Sequence, residues 1–263
     1  MKDRMLDMHA HLACFSDEYA GSLSEEGKLE LAYQELILRE KYGLTTVFSC
    51  GTPEEWNFMQ RYRGECLLSF GIHPWYSDRY QPQDYQECFR ECAVVGEIGM
   101  DSVWCDVPLL MQREVFEQQL EIAAQLGKSV ILHTKGQEAQ IAELIRDFPG
   151  QICVHWYSGD EDTFERFLET GCYFTLGPDL AEKEKAALYS RMIREIPPDR
   201  LFLETDGVSS IAWARGKEYV PLKDAPVVLG QNLTYVAQQK QISPKQLQNV
   251  MWENLRRFCG IQP

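Results

Sequence analysis

The sequence contains no run of 18 apolar residues, which excludes a transmembrane helix. Positive charge is in short supply. Against 26 Lys and Arg stand 40 Asp and Glu, a net charge of −14. Such a chain has no general attraction to nucleic acid or to an anionic membrane. A phosphate-bearing ligand therefore needs a local device: a metal ion, a lysine or arginine clamp, or a helix N-terminus. The familiar phosphate cradles are missing, since no GxGxxG follows a strand pattern and no GxxxxGK[ST] occurs. The absence of GxSxG removes the nucleophile elbow of serine hydrolases. The 9 cysteines form no CxxC pair, and Cys88 and Cys92, four apart, suit one helix face better than a zinc knuckle. They read as reduced, mostly buried thiols of a cytoplasmic protein. The opening Met1-Lys2-Asp3-Arg4 is charged and runs directly into histidines, unlike a signal peptide. Gly (18) and Pro (12) stand near average, and 44% hydrophobic with 25% charged residues excludes wholesale disorder.

What is present is a repeated alternation. Short apolar runs occur at Met5–Met8, Thr45–Cys50, Cys66–Phe70, Ala93–Val95, Ser129–Leu132, Ile152–Val154, Cys172–Leu176 and Leu201–Leu203. They read as strands buried on both faces. Helical patterns fill the gaps: Ser24–Tyr42, Pro53–Tyr62, Pro82–Cys92, Pro108–Leu126, Gln137–Asp147, Asp160–Thr170 and Glu182–Glu195, then Val228–Gln239 and Ser243–Phe258. Strands alternating with helices predict an α/β fold with a parallel sheet. Eight repeats in 263 residues point to a single (β/α)8 TIM barrel, one hydrolase-sized domain over residues 1–263, with a doubly wound open sheet as the alternative. No linker or internal sequence repeat interrupts it. The segment Gly207–Val227 reads as a long loop, of the length usual for a lid or a disordered stretch.

Histidine is scarce, and its placement is informative. All 5 histidines (His9, His11, His73, His133 and His155) fall at or just past the end of a predicted strand. In a barrel those ends form the face on which active sites are built. His9 and His11 are two apart on a strand and so share one face. Glu97, at the end of the fourth run, is a carboxylate too costly to bury unless paired or metal-bound. Asp206 follows the eighth run. Four imidazoles and two carboxylates suit zinc, manganese or a similar divalent ion. They are too many for one catalytic metal, so two ions about 3.5–4 Å apart, with a bridging carboxylate, are the natural count.

These residues lie in motifs that resemble the TatD family of metal-dependent hydrolases, in the amidohydrolase-like superfamily. The matching segments are Asp7-Met8-His9-Ala10-His11, Gly71-Ile72-His73-Pro74-Trp75, Gly96-Glu97-Ile98-Gly99-Met100-Asp101, Ile131-Leu132-His133-Thr134-Lys135, His155-Trp156-Tyr157-Ser158-Gly159, Leu203-Glu204-Thr205-Asp206 and Asn254-Leu255-Arg256-Arg257-Phe258. The resemblance implies that His9, His11, Glu97 and Asp206 hold one metal and Glu97, His133 and His155 a second, with Glu97 as the bridge. It also implies phosphodiester hydrolysis, as in 3′→5′ exonuclease-type deoxyribonucleases, with two divalent ions (Zn, Mn or Mg). Lys135 departs from the arginine usual in the family, and loses its bidentate fork. Trp156-Tyr157 and Gly207-Val208 also depart from the family pattern.

On this reading a bound cation lowers the pKa of an attacking water toward about 7. Asp206 takes its proton, His73 contacts the substrate phosphate or donates a proton, and Lys135 clamps phosphate. Glu204 orients a ligand histidine or forms a buried ion pair, and Asp101 supports the ligands or caps its loop, with a substrate contact as the alternative. Trp75, Tyr76, Arg79 and Tyr80 after the third strand, and Trp213, Arg215, Lys217 and Tyr219 after the eighth, offer either base stacking or ordinary rim packing. The expected partner is DNA or a small phosphodiester, the net charge favouring a short substrate. No membrane is expected, and no protein partner is readable. An amidohydrolase or deacylase acting on an amide or ester is the alternative, although that class often bridges its metals with a modified lysine where this chain has Glu97. A non-enzymatic binding protein would be expected to have lost a ligand, and none is missing.

Overall fold

The computed structural model describes residues 4–180 and 185–261. Eight strands, β1 (Met5–Ala10), β2 (Leu44–Cys50), β3 (Leu67–Phe70), β4 (Val94–Gly99), β5 (Val130–His133), β6 (Ile152–Val154), β7 (Tyr173–Leu176) and β8 (Leu201–Leu203), form one sheet in the order β1 to β8. The pairings β1–β2, β3–β4, β4–β5, β5–β6 and β6–β7 are parallel. This is the (β/α)8 barrel fold that the alternation predicts. Its strands are buried almost throughout, as continuous apolar runs require.

Eleven helices are described: α1 (Asp17–Ala20), α2 (Glu25–Lys41), α3 (Pro53–Met59), α4 (Gln86–Glu91), α5 (Leu109–Leu126), α6 (Glu138–Leu144), α7 (Glu161–Glu169), α8 (Ala186–Glu195), α9 (Val208–Ala214), α10 (Asp224–Gln239) and α11 (Pro244–Phe258). Their starts follow local chemistry. Ser24 caps α2 by accepting the Gly27 N–H, Thr52 caps α3 ahead of Pro53, and Asp160 caps α7 through the Thr163 N–H at 2.8 Å. The predicted Glu182–Glu195 helix is found from Ala186, and 182–184 lie outside the described residues, as does Met1–Asp3 of the opening segment. Among the described residues no helix is long and apolar enough to cross a membrane.

By internal contacts the chain divides into two compact units: Met1–Phe48 with Leu176–Asn254, and Ser49–Thr175 with Leu255–Pro263. In the first unit β8 lies against β1. The Gly207–Val227 segment corrects the loop expectation: it contains α9 and leads into α10. Val208, Ile211, Ala212, Val220, Ala225 and Val228 bury themselves with Ala13, which follows β1. Tyr19 locks the segment, donating to the Val220 carbonyl at 2.8 Å and accepting the Val220 N–H at 3.0 Å. The apolar spacing 208, 211, 212 is a helical one, but seven residues are too few to stand out against polar neighbours. Asn254, in the motif matched at the chain's end, donates to the Pro198 and Leu201 carbonyls at the entry to β8.

In the second unit the core is aromatic: Phe70 packs edge-on against Trp56, Tyr85 and Phe89, and Tyr157 against Phe167 and Phe174. The face of α5 turned inward carries two amides. Gln119 clamps the Ile72 backbone, accepting its N–H at 2.6 Å and donating to its carbonyl at 3.0 Å. Two turns earlier, Gln112 does the same for Asp101 at 2.8 and 3.0 Å. One helix thus fixes the chain beside His73 and at Asp101. Gly99, at φ +152°, lets β4 approach β5 so closely that a Cβ there would lie 1.9 Å from the His133 carbonyl oxygen.

Candidate functional site

Each unit carries its own set of metal-type donors at the C-terminal ends of its strands. In the first unit these are His9 on β1, His11 just beyond it and Asp206 just beyond β8. The Asp206 N–H donates to the His9 carbonyl at 3.0 Å, which ties the two strand ends together. Asp206 Oδ1 stands 3.3 Å from His9 Nε2 and 3.8 Å from His11 Nε2. Its other oxygen accepts the Ser210 hydroxyl at 2.7 Å, so α9 orients the carboxylate with Oδ1 toward the imidazoles. Asp206 holds φ +53°, a left-handed conformation rare outside glycine and characteristic of functional positions. Donors about 2.0–2.1 Å from a tetrahedral zinc stand roughly 3.4 Å apart. The separations here fit that edge, and the three donor atoms lie within 4.8 Å of one another.

The support for this set is ionic and buried. Asp7, two residues before His9, accepts from the Thr205 N–H at 2.8 Å, the Thr205 hydroxyl at 2.7 Å and Arg39 Nη1 at 2.7 Å. Arg39 also reaches Glu35 Oε1 and Thr46, and Glu35 accepts the Ala13 N–H. Burial works against the Arg39 cation, but Glu35 and Asp7 raise its pKa above the usual arginine value. Glu204 is fully buried after β8, its N–H bonded to the Leu176 carbonyl.

In the second unit three imidazoles converge on one oxygen. Glu97 Oε1 is 2.6 Å from His133 Nδ1, 2.8 Å from His155 Nε2 and 3.5 Å from His73 Nε2. His73, expected to contact the substrate phosphate or donate a proton, belongs to this cluster by position. Its Nδ1 accepts the Trp75 N–H at 3.3 Å, so in the neutral ring the proton sits on Nε2 and points at Glu97. That makes His73 a proton-bearing edge rather than a lone pair. His133 and His155 are left as the two imidazoles closest to Glu97 Oε1, nitrogen and oxygen donors of the kind zinc or manganese takes.

Asp101 is the organising group behind His133. Its Oδ2 lies 3.0 Å from His133 Nε2 and accepts the Trp75 indole N–H at 2.8 Å, while Oδ1 accepts the Val103 and Trp104 N–H groups at 2.8 and 2.9 Å. Burial pushes its carboxyl up, but the bonds from His133, the Trp104 N–H and the Trp75 indole outweigh it and hold Asp101 well below the usual carboxylate range. His133 responds in kind: burial lowers its pKa, Asp101 and Glu97 raise it, and the net direction is up. With Nε2–H given to Asp101, Nδ1 is the nitrogen available to a cation. Lys135, half-buried past β5, donates to Ser158 Oγ at 3.0 Å with its ammonium 4.4 Å from the centre of the Trp104 ring.

Several expected rim groups are engaged internally. Arg79 lies over Tyr76, Tyr80 donates to Glu54, Arg215 pairs with Asp224 at 2.6 Å and Tyr219 packs on Tyr19. Lys217 is exposed, and Trp213 is exposed with Lys185 near its ring. Residues the sequence reading missed are Arg39, Gln112, Gln119, Ser210 and Trp104. Only Trp104 had a usable signal, lying three residues past a motif aspartate.

The family model described as TatD related DNase matches residues 6–260. A 3′-5′ ssDNA/RNA exonuclease, TatD, of Edwardsiella piscicida is 31% identical over 156 residues, covering 56% of this chain and 60% of that protein's length. An uncharacterized metal-dependent hydrolase, YcfH, of Escherichia coli strain K12 is 27% identical over 206 residues, 76% of each chain. The crystal structure of YJJV, a TatD homologue from Escherichia coli K12, superimposes over 100% of both chains with a TM-score of 0.78 at 19% identity.

Proposed function

As the chain belongs to the TatD related DNase family of metal-dependent hydrolases, we propose that it is a divalent-metal-dependent phosphodiesterase, a deoxyribonuclease of 3′→5′ exonuclease type. Residues 1–263 act as one catalytic domain in this reading, which the family model's run from 6 to 260 supports. The observation that carries it is the histidine–carboxylate groups at strand C-termini, His9, His11 and Asp206 in one unit and His73, Glu97 and His133 in the other, with His155 also on Glu97. His9, His11 and Asp206 would hold one divalent ion, and Glu97, His133 and His155 a second, Zn, Mn or Mg in each case. Such ions would polarise the phosphoryl oxygen and ease deprotonation of the attacking water.

The chain's own groups do the rest. Asp206, oriented by the Ser210 hydroxyl on Oδ2, receives the water proton. His73 presents Nε2–H to the phosphate or the leaving oxygen. Lys135 holds a non-bridging phosphate oxygen as a point charge, and Asp101 and Glu204 keep the metal-facing groups in place. DNA or another phosphodiester is the substrate. An amide or ester substrate remains the alternative, and the carboxylate on β4 favours the first reading.

The test is hydrolysis of a 5′-labelled single-stranded DNA oligonucleotide by metal-stripped protein, by protein restored with Mg²⁺, Mn²⁺ or Zn²⁺, and by Glu97→Ala with Mn²⁺. A metal-dependent 3′→5′ ladder, absent in the variant, is expected. No cleavage with any metal, while metal analysis still finds about two ions per chain, would overturn the phosphodiesterase reading and leave the amide or ester one.

A further inference from the structure

Two exposed indoles stand beside the second donor set. Trp75 is 41% and Trp104 49% exposed, unusual for side chains whose burial would stabilise the fold. One carboxylate orders both: Asp101 Oδ2 takes the Trp75 indole N–H, and Oδ1 takes the backbone N–H at Trp104, fixing the chain that carries the second indole. Asp101 is in turn clamped by Gln112 and touches the His133 ring. Trp75 also meets His73 edge-on, with ring centres 5.0 Å apart. Two aromatic residues are therefore joined to one carboxylate that also touches a metal-type histidine. The Lys135 ammonium lies against the Trp104 ring and is itself fixed by Ser158.

We propose that Trp75 and Trp104, pinned by Asp101 and flanked by Lys135, form a base-stacking platform that receives the terminal nucleobase of a single-stranded nucleic acid as Lys135 takes its phosphate. The proposal rests on the phosphodiesterase reading and names its substrate class: an unpaired end carrying bases, rather than a small phosphodiester without them. The charge of the chain supplies the physical reason. With a net −14 the protein repels a polyanion overall, and affinity cannot come from a basic track. Stacking on an aromatic face is indifferent to that field and to the identity of the base. A single fixed cation then sets which phosphate faces the histidines. The Trp75 indole is held by its hydrogen bond and the Trp104 ring lies against the Lys135 ammonium, so both lose less freedom on binding and more of the stacking energy appears as affinity.

The test measures anisotropy of a fluorescein-labelled deoxythymidylate hexamer with phosphorothioate linkages. It is compared with the same hexamer carrying abasic sugars at its 3′ end, both on the metal-loaded protein. The base-bearing hexamer is expected to bind about 5- to 150-fold more tightly than the abasic one. Trp104→Ala should erase that preference and Trp104→Phe should keep most of it. In turnover of the unmodified hexamer, Trp104→Ala should raise KM while leaving kcat nearly unchanged. Equal binding of the two hexamers by the wild-type protein would overturn the proposal without any variant, so a poorly folding Trp104→Ala does not protect it. A retained preference in a folded Trp104→Ala would overturn it as well. If the preference is found but no metal supports cleavage, the phosphodiesterase reading fails and the platform stands. Cleavage without the preference has the opposite meaning.

Discussion

Replacing Arg39 by Met tests how the first donor set is supported. The guanidinium is 3% exposed and its partners Asp7 and Glu35 are 0% and 1% exposed. Nη1 lies 2.7 Å from Asp7 and Nη2 3.0 Å from Glu35. Without Arg39, Asp7 keeps only its two bonds from Thr205, and Glu35 keeps the Ala13 N–H. Two carboxylates are then buried with no countercharge. Breaking a buried pair from one side costs about 3–5 kcal/mol. For a chain of this size that is a fall in Tm of about 6–20 °C. Urea unfolding of Arg39→Met beside Arg63→Ala is the assay, because the Arg63–Glu91 pair is equally short at 2.9 Å but exposed. The exposed pair should change stability by no more than about 1 kcal/mol. Adding Asp7→Asn and Glu35→Gln to Arg39→Met should recover most of the loss, since no uncompensated charge remains. A loss under about 1 kcal/mol for Arg39→Met would refute the reasoning. It would mean that water reaches Asp7 and Glu35 once the guanidinium is gone.

Two further outcomes follow from the geometry. Gly99→Ala places a methyl 1.9 Å from the His133 carbonyl at a φ of +152°, so β4 and β5 must separate by more than an ångström. Metal binding at Glu97 and His133 should be lost, with destabilisation of about 1–3 kcal/mol or more, read by metal analysis and thermal unfolding. The Tyr80 phenol donates to Glu54, and that bond, with burial adding to it, pushes its pKa from 10.0 to about 12. A phenol pKa raised on folding contributes stability that is complete below pH 10 and lost as pH rises toward 12. Tyr80→Phe should therefore flatten the fall in stability over that window, measured by urea unfolding at each pH.

The sequence legibly carried the fold because its signals are local. A run such as Ile152–Val154 or Leu201–Leu203 is apolar on every residue, and the structure places β6 and β8 on those same residues. Boundaries drifted where a polar residue interrupted the pattern: β4 extends from the expected Ala93–Val95 to Gly99, because a glycine and a glutamate inside a strand look like its end. The Gly207–Val227 segment was misread as open loop because its apolar residues face Ala13 and Tyr19, about 200 positions earlier. The candidate donors were legible for a chemical reason. Histidines confined to strand ends, with Glu97 and Asp206 among them, are an unusual expense in a barrel unless they meet.

By itself, the sequence determined the order of strands and helices, the candidate donors and the net negative charge of the chain. All of these depend on residue type and short-range periodicity. Only the tertiary structure decided how the donors are held. It set Nε2 of His73 and Nδ1 of His133 toward Glu97, put Ser210 behind Asp206, and made Asp101 the common anchor of two tryptophans and a histidine. Arg39 shows the difference most plainly. On α2 it reads as one more basic residue in a helix's last turn. Its meaning comes from Asp7, 32 residues away, and from Thr205, 198 residues beyond Asp7. Pairing over such separations is decided by how strands and helices stack, which no local pattern encodes.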